Sequence, residues 1–241
     1  MGVRYVDAHC HLHEYDDERV EELTRSYVIV AVSDDAASSL RTVELADRFE
    51  LYPCVGIHPW EVGEASRRDV EVIEGLVSRG KAVCIGEVGL DKMFVPQTFS
   101  KQLEVFKEMV RLAAEYSLPM NLHTAGAWRE AFDIVTKAGV ERALFHWYTG
   151  PLDLLRDIVE TGYLISVNPS VMFQRRHQRV VKEAPLHSLV TESDGPYKYR
   201  GVELGPPMIP DTVAFIAEAK NLSAEDVARR VGENLTRFLR G

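Results

Sequence analysis

Asparagine and glutamine are scarce: Asn121, Asn168, Asn221, Asn234, Gln97, Gln102, Gln174 and Gln178 are all the chain has. With plentiful Arg and Glu, that scarcity points weakly to a thermophilic source. Cysteine is also rare. Cys10, Cys54 and Cys84 are odd in number and each sits in an apolar, strand-like run, which argues against a disulfide framework. All three read as buried small hydrophobes. No apolar run is long enough to cross a bilayer, so no membrane association is expected. The start, "MGVRYVDAH", runs straight into a strand pattern with no secretory signal, and a cytoplasmic enzyme is the expectation. Clustered cations are missing as well. A formal net charge of −9 argues against general nucleic-acid coating, which needs grouped Lys and Arg. An anionic substrate stays open wherever metal ions supply the positive charge.

What the chain does have is alternation. "VRYVDAH", "YVIVAVS", "LYPCVGIH", "KAVCIGEVG", "LPMNLHT", "RALFHW", "GYLISVN" and "HSLVTESD" are apolar runs of strand length. Several are almost continuously apolar, as parallel strands buried on both faces should be. Amphipathic stretches lie between them. In "SKQLEVFKEMVRLAAEYS", Leu103, Phe106, Met109, Val110 and Ala113 share one helical face. Similar patterns run over about 35–50, 67–79, 128–138 and 151–160. Eight strands alternating with helices in 241 residues predict an α/β fold, a single (β/α)₈ TIM barrel spanning 1–241. A doubly wound open sheet is the alternative, but no glycine-rich phosphate fingerprint follows an early strand. "SAEDVARRVGENLTRFLRG" predicts an extra C-terminal helix capped by Ser223, with Ala224, Val227, Val231 and Leu235 along its apolar stripe.

The unusual polar residues sit at one place in this pattern. His9 and His11 end the first strand with the two-residue spacing that points both to one face. His58 ends the third, Glu87 the fourth, His123 the fifth, His146 the sixth and Asp194 the eighth. The C-terminal ends of barrel strands form the active-site face. Carboxylates and imidazoles converging there are what divalent metals require. His9, His11, Glu87 and Asp194 are expected around one ion, with Glu87, His123 and His146 around a second, so that Glu87 bridges. A water held between the ions would be acidified and delivered as hydroxide, with Asp194 accepting a proton. A lone strand-end histidine is more often a hydrogen-bonded core residue, but that reading would have to hold for four of them at once. Glu87 in an apolar strand is costly unless paired or ligated. Asp194 precedes Gly195-Pro196, so a turn-forming role competes. His58 fits a substrate contact or a structural role equally. His177, in "QRRHQR", reads as part of a solvated helix face, and His187 as structural.

"DAHCHL", "GIHP", "GEVGLD", the His-Thr after Leu118-Pro119, "HWYTG" and "TESDGPY" together resemble, in order and over nearly the whole chain, the motifs of the TatD-like metal-dependent hydrolases. The resemblance implies an amidohydrolase-type TIM barrel with two divalent metal ions, often Zn, Mg or Mn. It also implies hydrolysis, typically as a deoxyribonuclease or phosphodiesterase. By motif position, His9, His11, Glu87, His123, His146 and Asp194 match the family's ligands. The pattern departs from the family at His13, usually Asp, at Ala125, often Arg, and at Trp147-Tyr148, usually Cys-Phe. It also departs in "SVNPSV" and in "VELGPPMIP", which lacks an Asn-x-Pro near Pro206. The metal core matches while the residues around the substrate differ.

Around the ligands, Asp7 is expected to orient a ligand imidazole and Asp91 to hold its loop. Trp60, Trp147, Tyr148 and Tyr197 are expected at the mouth, and Lys198 and Arg200 are placed where a phosphate could meet them. The first functional expectation is a binuclear-metal phosphodiesterase acting on nucleic-acid ends or a small phosphodiester. A C–N or acyl-bond hydrolase on a small substrate is the second. A non-catalytic metal-binding interaction protein is the third. A monomer or weak homo-oligomer is expected, with "MFQRRHQRVV" as a possible interface.

Overall fold

The computed structural model describes residues 4–240. Eight parallel strands, β1 (Tyr5–Cys10), β2 (Tyr27–Ala31), β3 (Tyr52–Val55), β4 (Cys84–Gly89), β5 (Met120–His123), β6 (Ala143–Phe145), β7 (Leu164–Val167) and β8 (Leu189–Thr191), pair strictly in chain order. The strands are short and buried on both faces; all six residues of β4 are buried. That explains why they read as continuous apolar runs rather than as alternating ones. The seam between β8 and β1 is closed by single hydrogen bonds. Thr191 Oγ1 donates to Val6 O at 2.6 Å, Ser193 N to Asp7 Oδ1 at 2.8 Å and Asp194 N to His9 O at 2.9 Å. The result is a nearly closed (β/α)₈ barrel.

Helices α1 (Asp17–Ser26), α2 (Ala36–Ala46), α3 (Arg67–Ser78), α4 (Phe99–Glu115), α5 (Trp128–Lys137), α6 (Leu152–Glu160), α7 (Arg175–Glu183) and α8 (Ile209–Lys220) surround the sheet. The additional C-terminal helix α9 (Ala224–Arg240) is also present. Asp226 N donates to Ser223 Oγ at 3.1 Å, so Ser223 does start it. Val227, Val231 and Leu235 are buried on its inner stripe, joined by Ala228 and Phe238, while Ala224 is exposed. Between β8 and α8 a hairpin of β9 (Tyr197–Tyr199) and β10 (Val202–Leu204) stands over the C-terminal mouth.

Two expectations about buried residues are corrected. Cys54 and Cys84 are register partners across β3 and β4 and are disulfide-bonded, leaving Cys10 free and buried. Thirty positions of sequence separate them, and only the parallel register makes them neighbours. His177 is not on the solvated face of α7. It is fully buried beside Val180 and Val181, its nitrogens 3.3 Å from Ser170 Oγ and 3.4 Å from Ser166 O.

Burial pushes the His177 imidazole down from 6.5 to about 4. The folded protein therefore holds it neutral, while the unfolded chain binds a proton below its ordinary value. Stability is complete above about pH 6.5 and declines towards pH 4, by roughly 3 kcal/mol for this group. Urea midpoints of His177→Gln should fall less than those of the wild type between neutral and acidic pH. Parallel curves for the two proteins would remove this assignment.

Candidate metal centre

Every predicted strand-end residue reaches the C-terminal mouth, and Glu87 stands in the middle. Its carboxylate is 2 % exposed, and its two oxygens face different imidazoles. Oε2 lies 3.2 Å from His9 Nε2 and 3.4 Å from His11 Nε2. Oε1 lies 2.9 Å from His123 Nδ1, 3.3 Å from His58 Nε2 and 3.4 Å from His146 Nε2. Asp194 Oδ1 approaches the first pair, at 3.4 Å from His9 Nε2 and 3.6 Å from His11 Nε2. The chain reaches this geometry through its glycines. At Gly89, with φ +154, a Cβ would stand 1.8 Å from His123 O, so only glycine lets β4 approach β5 this closely. Asp194 sits in the left-handed region at φ 56, a conformation that costs free energy and recurs at functional sites.

Charge follows geometry. Burial opposes ionisation of Glu87, yet the surrounding imidazoles, His58, His9 and His146 foremost, hold its carboxyl well below the usual carboxylate range. Burial likewise opposes charge on His9 and His123. The Glu87 carboxylate on His9, and Asp91 with Glu87 on His123, outweigh it and hold both imidazoles at about 9. Such a set shares protons that a divalent cation would displace, because ligating imidazoles must be neutral.

The outer nitrogen of each expected ligand imidazole meets an oxygen. His9 Nδ1 is 2.9 Å from Asn121 Oδ1, and Asn121 Nδ2 in turn donates to Ala8 O at 2.8 Å. His11 Nδ1 lies 3.2 Å from Asp34 Oδ1, whose Oδ2 is 3.1 Å from His13 Nε2. His123 Nε2 is 3.1 Å from Asp91 Oδ2, and His146 Nδ1 is 3.1 Å from Glu192 Oε1. The Asn121, Asp91 and Glu192 oxygens are placed to fix the tautomer that leaves the other nitrogen's lone pair facing Glu87, whereas His11 Nδ1 lies near Asp34 without a hydrogen bond. His58 differs. Its Nδ1 accepts from Trp60 N at 3.3 Å, so the neutral ring carries its proton on Nε2 and presents a donor rather than a lone pair.

Asn121, Asp34 and Glu192 escaped the sequence reading. Asn121 and Glu192 each precede a predicted site residue by two positions, and a polar residue of that parity beside an apolar strand was the available signal. Asp34 had none: followed by Asp35, it reads as a helix cap, and Asp35 does cap α2 through Ser38.

Other expectations are changed. Asp7 orients no imidazole. It is buried, and its Oδ1 accepts from Ser193 N at 2.8 Å and His9 N at 3.3 Å, tying β1 to the end of β8. Burial, partly offset by those hydrogen bonds, pushes its carboxyl up to about 7. Asp91 accepts from Met93 N at 2.7 Å and Phe94 N at 2.8 Å in its own loop, and also from Trp60 Nε1 at 2.6 Å. Trp60, Trp147 and Tyr197 line a cavity of about 460 Å³ above Glu87. Tyr148 does not: it is fully buried, with its hydroxyl donating to Pro151 O at 2.7 Å. Lys198 and Arg200 lie on the hairpin and are not among the lining residues either.

A glutamate ringed by imidazoles at the C-terminal mouth of a (β/α)₈ barrel defines a hydrolase of the metal-using barrel class. Residues 6–240 match the family model described as TatD related DNase. An uncharacterized metal-dependent hydrolase from Methanocaldococcus jannaschii is 31% identical over 99% of this chain and 98% of its own length. Deoxyribonuclease TATDN3 of Homo sapiens is 28% identical, with 97% of this chain and 93% of its own covered. A crystal structure of a TatD homologue from Escherichia coli K12 superposes with a TM-score of 0.91 at 25% identity, over the full length of both chains. The chain belongs to the TatD-related DNase family and is a hydrolytic enzyme.

Proposed function

We propose that the protein is a metal-dependent phosphodiesterase acting on nucleic-acid ends or a comparably small phosphodiester, with two divalent ions sharing Glu87. The observation that carries this reading is the division of the Glu87 carboxylate. One oxygen faces His9 and His11, and the other faces His123 and His146. The mixed imidazole and carboxylate donors suit Zn, and also Mg or Mn where water completes the shell. On this reading His9, His11, Glu87 and Asp194 hold one ion, and Glu87, His123 and His146 the other. When bound, the ions supply Lewis-acid charge stabilisation and lower the pKa of water.

The chain's own groups do the rest. Asp194 Oδ1 sits beside the His9 and His11 nitrogens, where it can take a proton from an attacking water. Asn121, Asp91 and Glu192 hold the His9, His123 and His146 rings in the productive tautomer and angle, and the Asp34 carboxylate lies beside His11. His58, with its proton on Nε2, is suited to donate to a substrate oxygen. The DNase naming of the human relative supports nucleic acid as the substrate class.

A C–N or acyl-bond hydrolase is the second reading, favoured by a cavity lined by no Lys or Arg among the described residues. Initial rates on an aryl phosphodiester, an aryl ester and a lactone separate the two. Preference for the diester is expected, and turnover of the ester or lactone alone would reverse the order.

Chelation provides a second check. A ligand held at about a thousand times its dissociation constant stabilises by roughly 4 kcal/mol. For a chain of this size that corresponds to about 10 °C in Tm. A chelator should abolish hydrolysis and lower Tm by that amount, and excess divalent ion should restore both. An unchanged Tm with full activity would remove the metal from the reading.

A further inference from the structure

The cavity above Glu87 has an unusual lining. Five carboxylates face it, from Glu14, Asp34, Glu61, Glu87 and Asp194, and no Lys or Arg among the described residues does. Arg200 and Arg176 approach only from outside the lining, 5.5 Å from the Tyr199 ring and 6.0 Å from the Trp128 ring. Trp60, Phe94, Trp128, Trp147, Tyr197 and Tyr199 also line it. Trp147 packs edge-to-face against Tyr199, with centroids 5.2 Å apart, and against Tyr197 at 5.9 Å. Across the mouth, past β3 and β4, Trp60 and Phe94 pair at 5.8 Å and remain 40% and 62% exposed.

Trp147 is held there at a cost. Its φ of 42 lies in the left-handed region, which a bulky side chain rarely adopts. The surroundings impose it. Trp147 N donates to Ser166 Oγ at 2.9 Å and to Glu192 Oε1 at 3.0 Å, and the indole Nε1 donates to Gln174 Oε1 at 3.1 Å. An indole ring fixed at backbone and tip, adjoining His146, is a preorganised stacking surface beside the reacting centre.

We propose that the enzyme recognises its substrate by stacking one planar base on the Trp147–Tyr199 wall, and not by gripping a run of phosphates. The substrate class is then a phosphodiester of which the enzyme reads one nucleoside beside the scissile phosphate. The volume agrees, since about 460 Å³ is the size of a site for one small ligand. With Glu87 and Asp194 assigned to the ions and Asp34 beside His11 and His13, the exposed Glu14 and Glu61 remain at the mouth, where no lining Lys or Arg among the described residues would pair with flanking phosphates. This inference rests on the phosphodiesterase reading and sharpens it.

The test compares thymidylyl-thymidine with oligothymidylate on the metal-loaded enzyme, and adds binding of thymidine 5′-monophosphate followed by tryptophan fluorescence. Cleavage per end should agree within about threefold for the two substrates. The slope of log KM against log salt on the oligomer should be about +0.7 or shallower, the value for one phosphate contact. Trp147→Asn keeps a residue that tolerates the left-handed backbone while removing the ring. It should raise KM on the order of tenfold, a stacking loss, with much less change in kcat. Trp147→Phe should recover most of that KM yet lose the fluorescence quenching by the nucleotide.

A log KM salt slope of about +3 or steeper, or an unchanged KM in a Trp147→Asn protein with wild-type Tm, overturns the proposal. If no diester is cleaved but Trp147-dependent quenching persists, the base slot stands and the phosphodiesterase reading falls.

Discussion

Glu87→Gln is expected to lower turnover by on the order of 10³-fold and to leave the purified protein with less divalent metal. The substitution keeps the volume of a side chain that is almost wholly buried, so packing is not the cause. What changes is charge and one acceptor. A neutral amide can face a cation with its carbonyl oxygen only, and its NH₂ would then point at the other imidazole pair. Either His9 and His11 or His123 and His146 would meet a donor where an acceptor stood. An ion contributes several kcal/mol to stabilising transition-state charge, and about 4 kcal/mol corresponds to a thousandfold in rate. His58→Gln is the informative control. Its Nδ1 already accepts from Trp60 N, so the ring has no free lone pair for a metal, and this variant should retain its full metal content while losing turnover. Metal analysis alongside kcat checks both. If Glu87→Gln binds metal like the wild type and works within about threefold of it, the shared-carboxylate assignment fails.

How much of this was legible beforehand follows from what each residue depends on. His9, His11, Glu87, His123, His146 and Asp194 could be placed because each ends an apolar run, and the barrel puts all such ends on one face. Strand periodicity is local, and so it is visible in the sequence. The partners of those residues are not local. Asp7, two positions from His9, is the nearby carboxylate the sequence offers to orient a ligand imidazole. The structure uses Asn121 instead, 112 positions distant, because the imidazole turns across the barrel interior towards β5. The Cys54–Cys84 bond depends on register between β3 and β4, which composition does not encode. Tyr148 and Trp147 are adjacent in sequence, yet one lines the cavity and the other is buried. The left-handed backbone at Trp147 turns the chain there, and no periodicity rule carries through such a residue.

Glu192 shows the consequence of a partner that sequence patterns hide. Its side chain is fully buried two residues before Asp194, and one oxygen does three tasks. Oε1 accepts from His146 Nδ1 at 3.1 Å and from Trp147 N at 3.0 Å, and it lies 3.4 Å from Asn168 Nδ2. Burial opposes its charge, but the facing His146 imidazole lowers its carboxyl below the ordinary value. Glu192→Ala would leave a buried imidazole N–H and a buried backbone N–H with no carboxylate. Removing one partner of such a buried pair destabilises by about 3–5 kcal/mol, roughly 6–20 °C in Tm for a chain of this size. The same loss frees His146 to choose the other tautomer, for which an expected drop in metal affinity is about 10–100-fold. Glu192→Gln separates the two effects. Its carbonyl oxygen can still accept from Trp147 N and His146 Nδ1, as the Asn121 amide oxygen does for His9, so most of the stability and the tautomer should return, while the lost negative charge should leave metal affinity only partly restored. Thermal unfolding with metal titration reads both quantities in one preparation. Full recovery of metal affinity in step with Tm would show that Glu192 acts as a hydrogen-bond acceptor alone, and that His146 needs no negative charge behind it.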